Sequence, residues 1–279
     1  MKVSLSIAGS DSGGGAGIQA DLLTFAAHGV HGTTAITAIT AQNTVAVTFW
    51  QALEPSLVRA QIEAVADDMA IASVKTGMLA NRALIEEVAR VLTERRLPNL
   101  VVDPVMVAKS GDRLLDHDSE RAYVEKLFPL AALVTPNIPE AEAFLGIAIA
   151  SVADMKEAAV LLSRVGCRAV LVKGGHLAGD PIDILWDGGK LHELGTPRIN
   201  TKNTHGTGCT YSAAIAAWLA LGHDVETAVR GAKDYLTTAI QEGYSPGRGH
   251  GPVRHLNSDV ISALNPAIGP TKHVLFRRD

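Results

Sequence analysis

Short β-rich runs alternate with longer helical stretches along most of this chain, and that rhythm narrows the possible folds more than any other feature. Residues 3–8, 33–40, 73–75, 100–102, 133–134 and 169–172 read as strands, rich in Val, Ile, Leu and Thr. Between them, residues 17–27, 55–68, 82–95, 119–127, 138–145 and 155–165 carry helical spacing. Strands alternating with helices of this length build βαβ units on a mainly parallel sheet, an α/β fold. After residue 172 the rhythm changes. Residues 183–186 and 190–193 flank Asp187-Gly188-Gly189 as a hairpin would, and helical stretches follow at 207–221 and 225–241. No linker rich in Pro, Gly and Ser separates two halves, and no internal repeat is visible. The expectation is one domain over residues 1–265, with a C-terminal tail at 266–279 whose role the sequence does not show.

Hydrophobic residues make up 47% of the 279, yet aromatics only 4%, so Ala, Val, Ile and Gly must fill the interior. Small side chains suit helices that lie close against a sheet. A formal charge of −4 offers no global attraction to nucleic acid or an anionic membrane, and neither is expected as a partner. The cluster Lys272, His273, Arg277 and Arg278 reads as a solvated tail. The start, MKVSLSIAGSDS, is too weakly apolar for a signal segment, and no run approaches the ~18 apolar residues of a membrane span. Two cysteines, Cys167 and Cys209, are too few for a disulfide framework, so a reducing, cytoplasmic setting is expected.

Chemistry concentrates in two glycine clusters. The first, Gly9-Ser10-Asp11-Ser12-Gly13-Gly14-Gly15-Ala16-Gly17, follows the first strand, where missing side chains let backbone approach a ligand. No Gly-Lys-Ser/Thr follows, as a Walker A loop requires, and Ile18 stands where a dinucleotide fingerprint needs its third Gly. A tight strand-to-helix turn accounts for the same residues. The second, Asn203-Thr204-His205-Gly206-Thr207-Gly208-Cys209-Thr210, opens an alanine-rich helix. Unpaired amides and the macrodipole make such a helix start a cradle for phosphate. Cys209, in its first turn, is expected to have a lowered thiol pKa. An N-cap followed by a buried small residue is the plainer alternative.

Three further sites point the same way. Asp103 ends the strand at 100–102, where a carboxylate at the sheet's carboxyl edge can face a ligand. In Thr135-Pro136-Asn137-Ile138-Pro139-Glu140, Glu140 suits an outer-sphere Mg²⁺ partner. Acids in such places are also often caps. Lys173 closes the next strand, where an ammonium can meet nucleotide phosphates. The ten His are scattered, and no Cys/His spacing fits zinc.

Taken together, the segments 14–21 (GGAGIQAD), 41–44 (AQNT), 75–79 (KTGML), 103–106 (DPVM), 135–140 (TPNIPE), 173–176 (KGGH) and 203–210 (NTHGTGCT) closely resemble the hydroxymethylpyrimidine/phosphomethylpyrimidine kinases of thiamine biosynthesis, in the ribokinase-like superfamily. The likeness spans about residues 3–256. It implies a three-layer sheet with helices on both faces, and a homodimer. It also implies transfer of the ATP γ-phosphate to hydroxymethylpyrimidine, followed by phosphorylation of the monophosphate to the diphosphate. By position, Ala16, Asp21, Gln42, Met78 and Val105 would line the pyrimidine site. Lys173, Asn137 and the turn Gly206-Thr207-Gly208-Cys209 would serve ATP and catalysis, and Asp103 and Glu140 would organise Mg²⁺. Cys209 stands where most of the superfamily carries an Asp base, as is usual in this branch. Gln42 replaces the Glu of some members.

Rival readings remain at this stage. Pyridoxal also offers a hydroxymethyl group on a flat heteroaromatic ring, so pyridoxal kinase activity is the nearest. Cys209 with His205 or His176 suggests a cysteine hydrolase, which leaves Asp103, Glu140 and Lys173 without a task. A silent binding protein is the third.

Overall fold

A computed structural model describes residues 1–106 and 117–264; the expected tail at 266–279, with its basic cluster, lies outside the described residues. The elements run β1 (Val3–Asp11), α1 (Gly17–Ala27), β2 (His31–Gln42), β3 (Val47–Ala52), α2 (Pro55–Asp68), β4 (Ile71–Thr76), α3 (Arg82–Arg95) and β5 (Leu100–Val102). They continue with α4 (His117–Ala122), β6 (Leu133–Val134), α5 (Ile138–Leu145), α6 (Val152–Ser163), β7 (Ala169–Val172), β8 (Ile182–Asp187) and β9 (Lys190–Gly195). Three helices close the described chain: α7 (Thr207–Ala220), α8 (Val225–Gln241) and α9 (Ser258–Leu264).

Among the described residues the strands form one nine-stranded sheet in the order β3-β2-β1-β4-β5-β6-β7-β8-β9. From β2 through β7 every pairing is parallel, while β3, β8 and β9 join antiparallel. Alternate side chains leave opposite faces of each strand. Val102, Val134 and Val172 therefore enter a core with α2, α3, α5 and α6, whereas Val101, Leu133 and Leu171 enter one with α1, α7 and α8. Helices cover both faces, which gives the expected three layers. Ala213, Ala214, Ala216 and Ala217 are all fully buried, and their small volume lets α7 lie close to the sheet.

From β1 the chain winds outward to β2 on one side and, through β4, to β5–β7 on the other. The crevice beyond the carboxyl ends of β1 and β4 is thus a topological switch point, where ligands of open α/β sheets bind.

Departures from expectation have local causes. β3 is a sheet edge with almost no buried side chains, so it lacks the apolar pattern that marks a core strand. The helix expected over 119–127 is α4 followed by a π-helical turn at Tyr123–Leu127 and a 3₁₀ turn at Phe128–Leu130. Pro129 has no amide to carry the α pattern further. At the β8–β9 hairpin Gly188 and Gly189 both have positive φ, as a two-residue turn with right-handed twist demands.

Candidate active site

The two glycine clusters of the sequence meet. Gly206 adopts φ +77°, and a Cβ there would stand 1.8 Å from the Gly15 carbonyl oxygen, so no other residue fits. Asp11, at the end of β1, organises the first cluster. Its carboxylate accepts the amides of Gly13 at 2.8 Å, Gly15 at 3.1 Å and Ala16 at 2.8 Å. It also lies 2.8 Å from Nε2 of His205, the residue before Gly206. Burial works against the Asp11 charge, but His205 and the loop amides outweigh it and hold the carboxyl below the usual range. Asp11 was not read as a site residue from the sequence, and His205 only as a possible partner of Cys209 in a hydrolase. An acid preceding a run of unobstructed amides was the legible signal.

Gly206 begins α7, and no side chain caps that helix start. The first-turn amides, at Thr207, Gly208 and Cys209, stand at the positive end of the macrodipole and line a cavity of about 740 Å³. Lys173 and Asp103 reach the same turn: a Cβ on Gly208 would lie 3.5 Å from Lys173 Nζ and 3.6 Å from Asp103 Oδ2. The two side chains form an ion pair of 2.7 Å. Thr135 Oγ1 donates to Asp103 Oδ1 at 3.2 Å, and Ser212 Oγ lies 3.2 Å from Oδ2. Burial would raise the Asp103 pKa, but the Lys173 and Lys75 cations outweigh it and leave the carboxyl below its ordinary value.

Glu140 is both a cap and a cavity residue. It closes a capping box with Asn137 at the start of α5, accepting the Asn137 amide at 2.8 Å. Burial, reinforced by the nearby Asp103 charge, pushes its carboxyl up to about 7 although Lys173 opposes the shift. Asn137 itself also lines the cavity.

Ala16, Gln42, Met78 and Val105 line the same cavity, with Ala16 and Gln42 close beside the His205–Gly206 turn. Asp21, expected beside them, does not reach the cavity. Its side chain is fully buried, held by Lys75 Nζ at 2.9 and 2.8 Å and by the Ser6 hydroxyl at 2.5 Å. Lys75 is the member of that pair which lines the cavity. Burial disfavours its cation, but Asp21 more than offsets this and raises the Lys75 pKa.

Cys209 corrects a second expectation. Burial pushes its thiol up to about 11, with Asp21 and Asp103 adding to the rise, and neither Lys75 nor the Gly17 amide reverses it. At this helix start desolvation outweighs the dipole. The cysteine–histidine pair considered from sequence also loses support, since His205 turns its Nε2 to Asp11.

A family model described as phosphomethylpyrimidine kinase matches residues 11–254. The chain belongs to the phosphomethylpyrimidine kinase family. It is 48% identical over 260 residues to the hydroxymethylpyrimidine/phosphomethylpyrimidine kinase of Haemophilus influenzae, covering 91% of this chain and 97% of that one. It is 52% identical over 253 residues to the thiamine biosynthesis bifunctional protein of Geobacter sulfurreducens, which covers 90% of this chain; the match spans 52% of that relative, about half its length. Among solved structures, an ADP complex of Bacillus subtilis pyridoxal kinase superposes with a TM-score of 0.86 at 40% identity, covering 92% of this chain and 98% of that one. The ribokinase-like fold and an ATP-using phosphotransferase follow from membership of this family. No helix among the described residues is long and apolar enough to cross a membrane.

Proposed function

We propose that the chain transfers the γ-phosphate of ATP to 4-amino-5-hydroxymethyl-2-methylpyrimidine and then phosphorylates the monophosphate to the diphosphate, within thiamine biosynthesis. The observation that carries this reading is a single cavity lined by two sets of groups, one suited to phosphate and one suited to a flat ring. The uncapped α7 start with Lys173 forms one, and Met78, Val105 and Ala16 with the Gln42 amide form the other. The name of the Haemophilus influenzae relative points to the same acceptor, and that of the Geobacter relative to thiamine biosynthesis.

Phosphoryl transfer asks mainly for alignment and charge neutralisation. In this reading the amides of Gly206-Thr207-Gly208-Cys209 hold the transferring oxygens, and Lys173 exchanges Asp103 for phosphate. Asn137 and the start of α5 border the nucleotide side. Asp103 and Glu140 fit a hard dication: two buried carboxylates line one cavity, and burial, with the nearby Asp103 charge, raises the pKa of Glu140. Mg²⁺ binds through one or two carboxylates with water and substrate phosphates, which matches so small a donor set. When bound, Mg²⁺ would neutralise charge on the phosphates. Cys209, which lines the cavity in the first turn of α7, is the group assigned in this reading to take the hydroxyl proton of the first step. The second step, whose acceptor is already an ionised phosphate, needs no such base.

A homodimer in the cytoplasm completes the proposal. Its support is the β3 edge, where Phe49 is 65% exposed beside Trp50 and Val45, together with two free cysteines. Sedimentation equilibrium tests the dimer. Pyridoxal kinase activity is the second reading, favoured by the solved relative at 40% identity. Measuring kcat/KM for hydroxymethylpyrimidine and for pyridoxal under one ATP and Mg²⁺ condition separates the two. The proposal expects the pyrimidine to be preferred, and a preference for pyridoxal would reverse it.

A further inference from the structure

The Gln42 side chain holds a contradiction that points to how the acceptor is read. Its Nε2 lies 3.3 Å from His205 Nε2, and its Oε1 lies 3.3 Å from Thr40 Oγ1. His205 Nε2 is also 2.8 Å from Asp11 Oδ2, and an ionised carboxylate only accepts hydrogen bonds, so Nε2 must carry a proton. Two donors therefore face each other across the Gln42–His205 contact. At the other end, the Thr40 hydroxyl gives its one proton to the Ser10 carbonyl oxygen at 2.8 Å. Only lone pairs remain toward Gln42, so two acceptors face each other there. A half-turn of the terminal amide removes both clashes: Nε2 donates to Thr40, and Oε1 faces the His205 proton that Asp11 already holds, as the longer branch of a shared bond. Carboxamide nitrogen and oxygen are told apart by just such partners.

We propose that Asp11, through the proton it holds on His205, sets the sense of the Gln42 amide, with Oε1 toward His205 and Nε2 toward Thr40, and thereby selects an acceptor ring bearing a hydrogen-bond donor beside its hydroxymethyl group. The inference rests on the functional reading above, in which Gln42 meets the acceptor. The hydroxymethyl group must approach the Gly206–Cys209 turn, which adjoins His205. The neighbouring ring substituent then meets Oε1, and the next ring atom meets Nε2. Hydroxymethylpyrimidine offers an exocyclic amine followed by a ring nitrogen, a donor and then an acceptor. Thr40 and the ring nitrogen take the two Nε2 protons, and Oε1 accepts the amine beside the longer branch of the His205 proton that Asp11 holds. Pyridoxal carries an aldehyde in the amine's place, a group with an acceptor oxygen and no N–H or O–H, so Oε1 would meet no donor there. His205 is thus a positioning residue for specificity.

The test compares kcat/KM for hydroxymethylpyrimidine and pyridoxal in the full-length enzyme and in two variants. His205→Leu removes the proton that orients the amide, and the preference for the pyrimidine should fall about tenfold, roughly the worth of one hydrogen bond. His205→Gln restores a donor toward Asp11 and Gln42 and should recover most of the preference. The KM for ATP should stay within about twofold in both, because the amide does not face the nucleotide. An unchanged preference in His205→Leu, or a loss carried by the ATP KM, would overturn the inference. Should His205→Leu fail to fold, long-range ¹H–¹⁵N spectra of the unmodified, imidazole-labelled enzyme still decide it, with His205→Gln assigning the resonance. A protonated Nε2 is expected; a bare Nε2 overturns the inference. Failure of the functional reading looks different, as absent hydroxymethylpyrimidine turnover in the unmodified enzyme.

Discussion

Lys173 Nζ lies 2.7 Å from Asp103 Oδ1, so the cation placed to meet phosphate is neutralised by the acid placed to organise metal. Both are far enough from water that a lone charge would be costly, and each keeps the other ionised. Under the proposed function, nucleotide phosphates arriving at the α7 start would give Lys173 an alternative partner and free Asp103 for a dication. Lys173→Met should then lower kcat about 10²–10³-fold, the loss typical of removing one preorganised charge-stabilising donor. Steady-state kinetics at saturating ATP check this, and a near-normal kcat would remove Lys173 from the transition state.

Glu140 is expected to act through Mg²⁺ as well as capping α5. Glu140→Gln should shift the Mg²⁺ titration of activity to higher concentration, while its amide oxygen can still accept from the Asn137 amide. Thermal melting of the variant reports the cap separately. An unchanged titration with a lowered melting point would leave Glu140 a cap only.

Asp21 is predicted to matter for stability first. Asp21→Ala would strand the Lys75 ammonium in a fully buried position, at a cost of about 3–5 kcal/mol. Urea unfolding measures it. A loss well under that range would show that Lys75 finds water or another partner through the cavity.

The strand and helix register of this chain was legible because its inner elements obey simple periods. Residues 100–102, 133–134 and 169–172 are apolar throughout, as strands buried on both faces must be. β3 was not legible, since an exposed edge carries no core pattern. At the site, glycines and acids at strand ends marked Asp103, Lys173 and the 206–209 turn. Asp21 was placed at the cavity by the resemblance alone, and the sequence did not show that its side chain turns inward to Lys75. The Cys209 pKa was misjudged because the helix dipole can be read from position, whereas burial cannot.

The thiol gives a pH prediction with a definite sign. With Cys209 pushed up to about 11, the thiolate is scarce at neutral pH and grows about tenfold per unit as pH rises. If it takes the hydroxyl proton, the first phosphorylation should accelerate from pH 7 to 9. The second should stay flat, since a phosphate monoester is already ionised above its second pKa of ~6. Cys209→Ala should lose about 10²–10⁴-fold in the first step and much less in the second. Equal small losses in both would leave the turn's backbone amides as the catalytic element.

The most direct test of the whole account follows product formation over time from hydroxymethylpyrimidine, ATP and Mg²⁺ by ³¹P NMR. The account predicts that a monophosphate ester appears first and then declines as the diphosphate accumulates, with one ADP released at each step. A monophosphate that accumulates without conversion, or no phosphorylation of the pyrimidine while pyridoxal is phosphorylated, would contradict it.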